Sequence, residues 1–316
     1  MSHFEATRDA YGRALVELGE GYENMVVLDA DLSGSTRTAK FAEKYPDRFF
    51  NLGIAEQNLM NTAAGLALSG KIPFVSTFAI FATGRAWEQV RNTIAYPALP
   101  VKIVASHAGL TVGEDGSSHQ ALEDIALMRV IPNMSVVVPK DGPETVNVLR
   151  AIIETPGPVY VRLGRAKVPS LSQPDDQFEL GRGEALAEGD DIAFIACGIM
   201  VGKALEARKV LQREGISARV INMASIKPLD EDLVIRAAEE CGAIVTAEEH
   251  TILGGLGGAV SECVTAMHPV PVQRVGVNDR FGQSGGADEL LLHYGLSVEG
   301  LVEAAGRALD LKGLNT

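Results

Sequence analysis

Short runs of β-branched and other apolar residues alternate along this chain with longer stretches in which apolar residues recur every three or four positions. That alternation predicts strands interleaved with helices, and so a parallel α/β architecture. In the first half, Met25–Leu28, Phe74–Phe78, Val101–Ser106 and Ser135–Pro139 read as strands. Thr7–Leu18, Glu56–Ser69, Gly84–Ala95 and Gln120–Arg129 carry helical spacing. Around Val168–Glu188 large apolar residues thin out in favour of Pro, Ser, Asp, Gln and Gly, which reads as a linker. A second series follows, with strands at Asp191–Cys197, Ser217–Asn222, Ala243–Ala247 and Val270–Val277. Its helices are Val201–Glu214, Glu231–Cys241, Gly257–Met267 and a helical C-terminus. The expectation is two α/β domains with mostly parallel sheets, 1–167 and 189–316, around a linker at 168–188.

Composition narrows the function classes. With 316 residues, 46% hydrophobic and 22% charged, both halves can bury a core. A net charge of −13 argues against a nucleic-acid partner, because a phosphate backbone needs a basic patch. The three cysteines, Cys197, Cys241 and Cys263, are widely spaced and read as free core thiols. Met1–Leu15 lacks the apolar core of a signal peptide, and no apolar run reaches membrane-spanning length. The expected location is cytoplasmic, with no membrane partner.

Three motifs tempt and are set aside. Gly282-Gln283-Ser284-Gly285-Gly286 fits the G-x-S-x-G elbow, but Asp288 and His293 follow too closely to complete a triad, so a helix-capping turn is expected. Gly254–Ala259 (GGLGGA) lacks the dinucleotide spacing and its acidic partner, and reads as close helix packing. Glu248-Glu249-His250 reads as a strand-end charge cluster rather than a metal site, and no metal ligands are assigned to the chain.

The informative segments are FFNLGIAEQNLMNTAAGLALSG (49–70), PFVSTFAIFATGRAWEQVRN (73–92) and SHAGLTVGEDGSSHQALEDIALMRVIPNM (106–134). Glu56 opens a predicted helix; His107 and His119 bracket a loop with glycines at 109, 113 and 116, which let the backbone turn or approach a ligand. Ser117 and Gln120 have capping-box spacing, which would put His119 in a helix's first turn. Together these segments resemble the pyrimidine-binding domain of the transketolase family of thiamine enzymes. The second half, including DRFGQSGGADELLLHYGLS (279–297), resembles that family's C-terminal domain.

The resemblance implies thiamine diphosphate as cofactor and reversible two-carbon ketol transfer between sugar phosphates. It implies that Glu56 contacts N1′ of the aminopyrimidine, that Phe78 and Phe81 pack against the ring, and that Asp31 lies near the cofactor. A third family aromatic falls at Gly84, leaving the ring pocket open there or filled by another side chain. It implies catalytic roles for Glu56, for His119 near the donor sugar's C1 hydroxyl and carbonyl, and for His107 towards the sugar or its phosphate; Asp115 would bind a hydroxyl, and Arg8 and Ser35 would contact the acceptor's phosphate. The family's arginine before Pro-x-Asp-Gly falls at Val138, with Lys140 close enough in sequence to compensate. Neither the family's G-D-G nor its Asn-Asn diphosphate and metal motif occurs here. A separate N-terminal subunit is therefore expected to hold the diphosphate through a divalent metal (Mg²⁺ or Ca²⁺), in a heterotetramer built on a dimer of this chain. Among relatives, a deoxyxylulose-phosphate synthase would carry Asp-Arg where this chain has Ser106-His107. A 2-oxoacid dehydrogenase β subunit shares G-I-A-E-Q but not GEDGSSHQALE. A non-catalytic partner that kept the fold is the remaining alternative.

Overall fold

The structure, a computed structural model, describes residues 4–173 and 176–314. Its strands in chain order are β1 (Phe4–Ala6), β2 (Met25–Asp29), β3 (Phe49–Asn51), β4 (Ile72–Ser76), β5 (Lys102–Ala105), β6 (Ser135–Val137) and β7 (Val159–Arg162). Then come β8 (Lys167–Pro169), β9 (Glu184–Ala187), β10 (Ile192–Ala196), β11 (Ala218–Asn222), β12 (Ser225–Lys227), β13 (Ile244–Thr251) and β14 (Val272–Val277). Seven strands form one sheet in the order β12-β6-β7-β5-β4-β2-β3, and five form another in the order β14-β13-β10-β11-β9. All pairings among β2 to β7 are parallel; the antiparallel edge strand β12 comes from the second half of the chain. In the second sheet only the edge strand β9 runs antiparallel. The expected α/β fold with mostly parallel sheets is what forms.

Local chemistry explains the elements. Met25, Val26, Val27 and Leu28 are all buried, as a central parallel strand covered on both faces requires. Helix Thr7–Gly21 buries Ala10, Ala14 and Leu18 on one face with Tyr11 and Leu15 beside them. Helix Glu231–Cys241 starts on an Asp230 side chain that accepts from the Leu233 N–H at 3.0 Å. It stops at Gly242 in the left-handed conformation (φ +63°). No helix among the described residues is long and apolar enough to cross a membrane.

Four expectations need correction. The segment 168–188 is not a bare tether: β8 pairs with β1 and β9 with β11. The backbone N–H groups of Leu171 and Ser172 also donate to Asp141 Oδ2, at 2.6 and 2.7 Å; Pro174 and Asp175 lie outside the described residues. The strand expected to reach Phe78 ends at Ser76, and Phe78 makes a single bridge to Ser106. The helix expected over Gly84–Ala95 is largely wide-turned: π-type turns at Phe81–Arg85 and Val90–Ala95 flank a short α-turn. The helix expected from Gln120 begins at Asp124. Its proposed capping box does not form, because the Gln120 amide instead donates to the carbonyls of Leu110 (3.2 Å), Gly113 (3.4 Å) and Gln283 (2.9 Å).

The two sheets share a core. Ile103, Met134 and Tyr160 from the first half cluster with Ile195, Ile221 and Met223 from the second. Lys140 crosses the same seam. Its ammonium, on a side chain only 2% exposed, donates to Glu144 at 2.8 Å and Glu184 at 2.9 Å. Asn222 adds a bond to Glu144 at 2.6 Å. Removing one member of a buried ion pair strands the other charge. Lys140→Ala is therefore expected to lower the unfolding free energy by about 3 kcal/mol, read from urea denaturation; a loss within experimental error would remove this role.

Candidate functional site

Parallel strands leave their C-terminal ends facing one edge of the sheet, and in such sheets ligands bind just beyond those ends. Here the segments following β2, β3, β4 and β5 supply the predicted residues. After β3, Gly53 (φ +71°) turns the chain so that Glu56 becomes the first residue of helix Glu56–Leu68. Its side chain is 1% exposed, and Oε2 accepts from Arg85 Nη1 at 2.8 Å. After β4 come Phe78 and Phe81, whose rings stack at 6.0 Å and 14°. After β5 comes His107, in the left-handed conformation (φ +58°), its ring 3.8 Å from Phe78 and nearly parallel to it. His119 stands edge-on to both phenylalanines, at 6.4 and 5.6 Å. The structure thus brings Phe78, Phe81, His107 and His119 together in one aromatic cluster. Glu56 joins it through Arg85, whose guanidinium lies 4.7 Å over the Phe81 ring.

The cationic side of the site starts at His107. Arg8 Nη1 lies 3.1 Å from His107 Nε2 and donates also to the Ser35 carbonyl at 3.1 Å. A guanidinium can only donate, so Nε2 accepts and Nδ1 carries the proton towards Ser106 Oγ, 2.9 Å away. Burial, reinforced by Arg8, Arg165, Arg37 and His119, pushes the His107 imidazolium down to about 3, so the ring is neutral. Burial and the neighbouring Arg37 also lower Arg8, whose Nε is buried without a partner.

The loop carrying Ser35 is built on Asp29. That buried carboxylate accepts from Leu32 N (2.6 Å), Thr36 Oγ1 (2.7 Å) and Thr38 Oγ1 (2.9 Å), and burial raises its pKa. Asp31 (φ +63°) exchanges two bonds with Asn51, at 3.1 and 2.9 Å, tying the β2 loop to the segment that leads into Glu56. Asp115 ends a short 3₁₀ turn, exposed and without a side-chain bond among the described residues. His119 Nδ1 lies 3.0 Å from Ser118 Oγ, in the turn before the helix rather than inside it. Lys140 makes its side-chain bonds at the seam and none to the other predicted residues.

Sequence reasoning missed Asp29, Arg37, Arg85 and Arg165. Arg85 was hidden by the search for an aromatic at Gly84, one position earlier. Arg165, which donates to the Val112 carbonyl and lies 3.2 Å from Glu114, had no local signal.

The second half of the chain holds the loop in place. Glu249 Oε1 accepts from Thr111 N at 2.6 Å, and its carboxylate fills the space a side chain at Gly109 would need. Gly282 is required for the same reason by the Gln120 side chain, and Gly116 by Ser284. The G-x-S-x-G motif is thus a packing turn leading to helix Ala287–His293, and the ring of His293 packs edge-on to Tyr294. At GGLGGA, Glu248 accepts from Leu256 N and Gly257 N, both at 2.8 Å, so the chain's own carboxylate occupies that helix N-terminus.

The first α/β domain carries a buried glutamate and an aromatic cluster at the C-terminal edge of its parallel sheet, and a second α/β domain follows. Residues 5–170 match the transketolase pyrimidine-binding domain family and residues 181–301 the transketolase C-terminal domain family, and the chain belongs to the transketolase family. It is 52% identical, over 95% of both chains, to a Methanocaldococcus jannaschii protein provisionally named a transketolase C-terminal section. It is 41% identical to a 6-deoxy-6-sulfo-D-fructose transketolase subunit of a Clostridium species, covering 96% of this chain and 95% of that one. A 1-deoxy-D-xylulose-5-phosphate synthase of Desulforudis audaxviator is 38% identical over 94% of this chain but 47% of its own length. Among solved structures, a split-gene transketolase described as an inactive β4 tetramer superposes with a TM-score of 0.90 at 56% identity, covering 97% of this chain and 99% of that one. Leishmania mexicana transketolase superposes at 0.83 and 26% identity, covering 98% of this chain and 46% of its own.

The neutral His107 gives a test of the geometry. Its folded-state value of about 3 lies below the unfolded value of 6.5, so between the two the unfolded chain binds more protons. Stability from this group is complete above pH 6.5 and lost as pH falls towards 3, with a slope of up to about 1.4 kcal/mol per pH unit. Glu144 and Glu249, raised by burial, push the other way, so a comparison with His107→Asn isolates the histidine. The variant is expected to lose less stability than the parent between about pH 6.5 and 5, followed by urea midpoints; equal losses would show that His107 titrates normally.

Proposed function

We propose that this chain is the pyrimidine-binding half of a cytoplasmic, thiamine-diphosphate-dependent ketol transferase. It would move a two-carbon unit from a ketose phosphate to an aldose phosphate once a separate N-terminal subunit completes the site. The carrying observation is Glu56, a carboxylate 1% exposed and joined through Arg85 to the Phe78–Phe81 pair. A flat, nitrogen-bearing heterocycle needs that combination of a carboxyl group and an aromatic shelf, so the aminopyrimidine fits these residues. When bound, thiamine diphosphate supplies the carbon nucleophile that breaks and remakes a bond next to a carbonyl.

The chain's own residues bind, orient and move protons. Glu56 holds or shuttles a proton at a ring nitrogen, and Phe78 and Phe81 fix the ring plane. His119 and Asp115 present polar edges to sugar hydroxyls. His107, saturated by Ser106 and Arg8, orients Arg8 and keeps the local charge positive for a phosphate, with Ser35 setting the other side. Among the described residues no cluster of His, Cys, Asp or Glu suits a metal ion. We assign the diphosphate and its Mg²⁺ or Ca²⁺ to the partner subunit, and self-association of this chain to a dimer within a heterotetramer. The domains follow as 1–167 and 189–316 across the segment 168–188, and Lys140 is reassigned from substrate to the seam.

Support comes from the split-gene relatives, while the sulfosugar and synthase relatives leave the substrate to experiment. The test mixes this chain with the N-terminal subunit, thiamine diphosphate and Mg²⁺, and assays transfer from xylulose 5-phosphate to ribose 5-phosphate. Transfer is expected only from the mixture, and Glu56→Gln is expected to reduce it at least about a hundredfold. Full activity from this chain alone would sink the two-chain reading. Condensation of pyruvate with glyceraldehyde 3-phosphate, without ketol transfer, would replace it with the synthase reading.

A further inference from the structure

Arg85 makes two contacts that a bound aminopyrimidine would also need. Its Nη1 donates to Glu56 Oε2 at 2.8 Å, and its guanidinium carbon lies 4.7 Å above the Phe81 ring. The turn that carries it is pinned to the start of the Glu56 helix, because Gln57 Nε2 donates to the Arg85 carbonyl at 3.3 Å. We propose that Arg85 is a latch on the pyrimidine site, holding Glu56 and covering Phe81 until an aminopyrimidine displaces it. The proposal rests on the reading that Glu56 and Phe81 contact that ring.

The two states exclude one another chemically. Paired with a guanidinium, the Glu56 carboxylate only accepts hydrogen bonds, and an unprotonated pyrimidine nitrogen also only accepts. Two acceptors make no bond, so a proton drawn from solvent must stand between Glu56 and the ring nitrogen, in the place the arginine N–H now fills. Phe81 likewise cannot hold a guanidinium and a stacked heterocycle on one face. Room for the exchange exists: the Arg85 side chain is 49% exposed, and a Cβ added at Gly84 would meet nothing within 4 Å. A half-exposed ion pair is screened by solvent, so the latch is weak enough for a ligand to open.

The experiment measures equilibrium binding of thiamine diphosphate with Mg²⁺ to the assembled complex, by titration calorimetry. Arg85→Ala is expected to bind about threefold to fivefold more tightly than the parent, with Arg85→Lys in between. In a Glu56→Gln background, Arg85→Ala is expected to tighten binding clearly less than in the parent, because the ion-pair half of the latch is gone and only the cover over Phe81 remains. Trp87, the single tryptophan of the chain, lies two residues from Arg85 and donates to the Leu127 carbonyl at 2.9 Å. Its emission in the isolated chain, unchanged by either Arg85 substitution, checks that the segment still folds. Affinity equal to or weaker than the parent's in Arg85→Ala overturns the latch. So does equal tightening in the Glu56→Gln background, which would show that Arg85 acts elsewhere. Failure of the underlying reading looks different: Glu56→Gln complexes would then transfer ketol units at the parent's rate.

Discussion

Arg162 leaves the end of β7 with a side chain only 6% exposed, and the site's geometry depends on how that charge is satisfied. It donates to Asp124 at 2.8 Å, to the Glu249 carbonyl at 2.8 Å and to the Ala121 carbonyl at 3.3 Å. Tyr160 adds its hydroxyl to the same Asp124 oxygen at 2.7 Å. An uncompensated charge at this depth would cost several kcal/mol, so these partners cannot drift apart cheaply. Asp124 starts the helix after the site loop, Glu249 belongs to the second half, and Ala121 bridges back to Ala108. One buried guanidinium therefore fixes both ends of the loop between His107 and Gln120 and locks the two halves in register.

That constraint gives the second half a physical role in the site. The loop 107–120 turns through glycines with positive φ at 109, 113 and 116, and between them it buries Leu110 and Val112, with Leu110 packed in the second half's core. Polar contacts across the seam, chiefly to Glu249 and the carbonyl of Gln283, add to that hold. Glycines at 109, 116 and 282 let the surfaces touch where a Cβ would collide. Asp115, exposed, and His119, half-buried, thus sit on a loop whose roots are immobilised from behind.

The sequence made legible whatever depends on near neighbours. Helix Glu231–Cys241 was placed to the residue because Asp230 and Gly242 cap it locally. Strands β2, β4, β5, β6, β10, β11, β13 and β14 were legible because burial on both faces leaves continuous apolar runs, whereas β3, β7, β9 and β12 were not read from the sequence. What depended on distant partners was not. Gln120 has the spacing of a cap, but its bond to Gln283 across 163 positions competes better. Lys140 sits where a phosphate ligand was sought, yet Glu184 lies 44 positions away in the chain and beside it in space. The ends of segment 168–188 look like linker because short edge strands such as β8, paired only with β1, carry almost no pattern of their own. Within the site Phe78, Phe81, His107, His119 and Arg8 were named from motif resemblance, while Arg37, Arg85 and Arg165 around them were not.

On the two-chain reading proposed above, the site's buried polar groups must be satisfied before the ligand and the other chain arrive. Here they nearly are. Glu56 has Arg85, His107 is neutral between Ser106 and Arg8, and Asp29 is enclosed by two threonines and a backbone N–H. Among the described residues the exceptions include Arg8 Nε, Thr77 Oγ1 and Gln120 Oε1, buried without a partner, and Asp115, exposed without a side-chain bond. Ligand binding to such a site is largely an exchange of partners rather than an addition of contacts, so each new bond contributes only the difference between what forms and what breaks. On the proposed two-chain reading, tight binding then draws on contacts outside this half: a site whose polar groups are already paired relies on a second surface to hold its ligand.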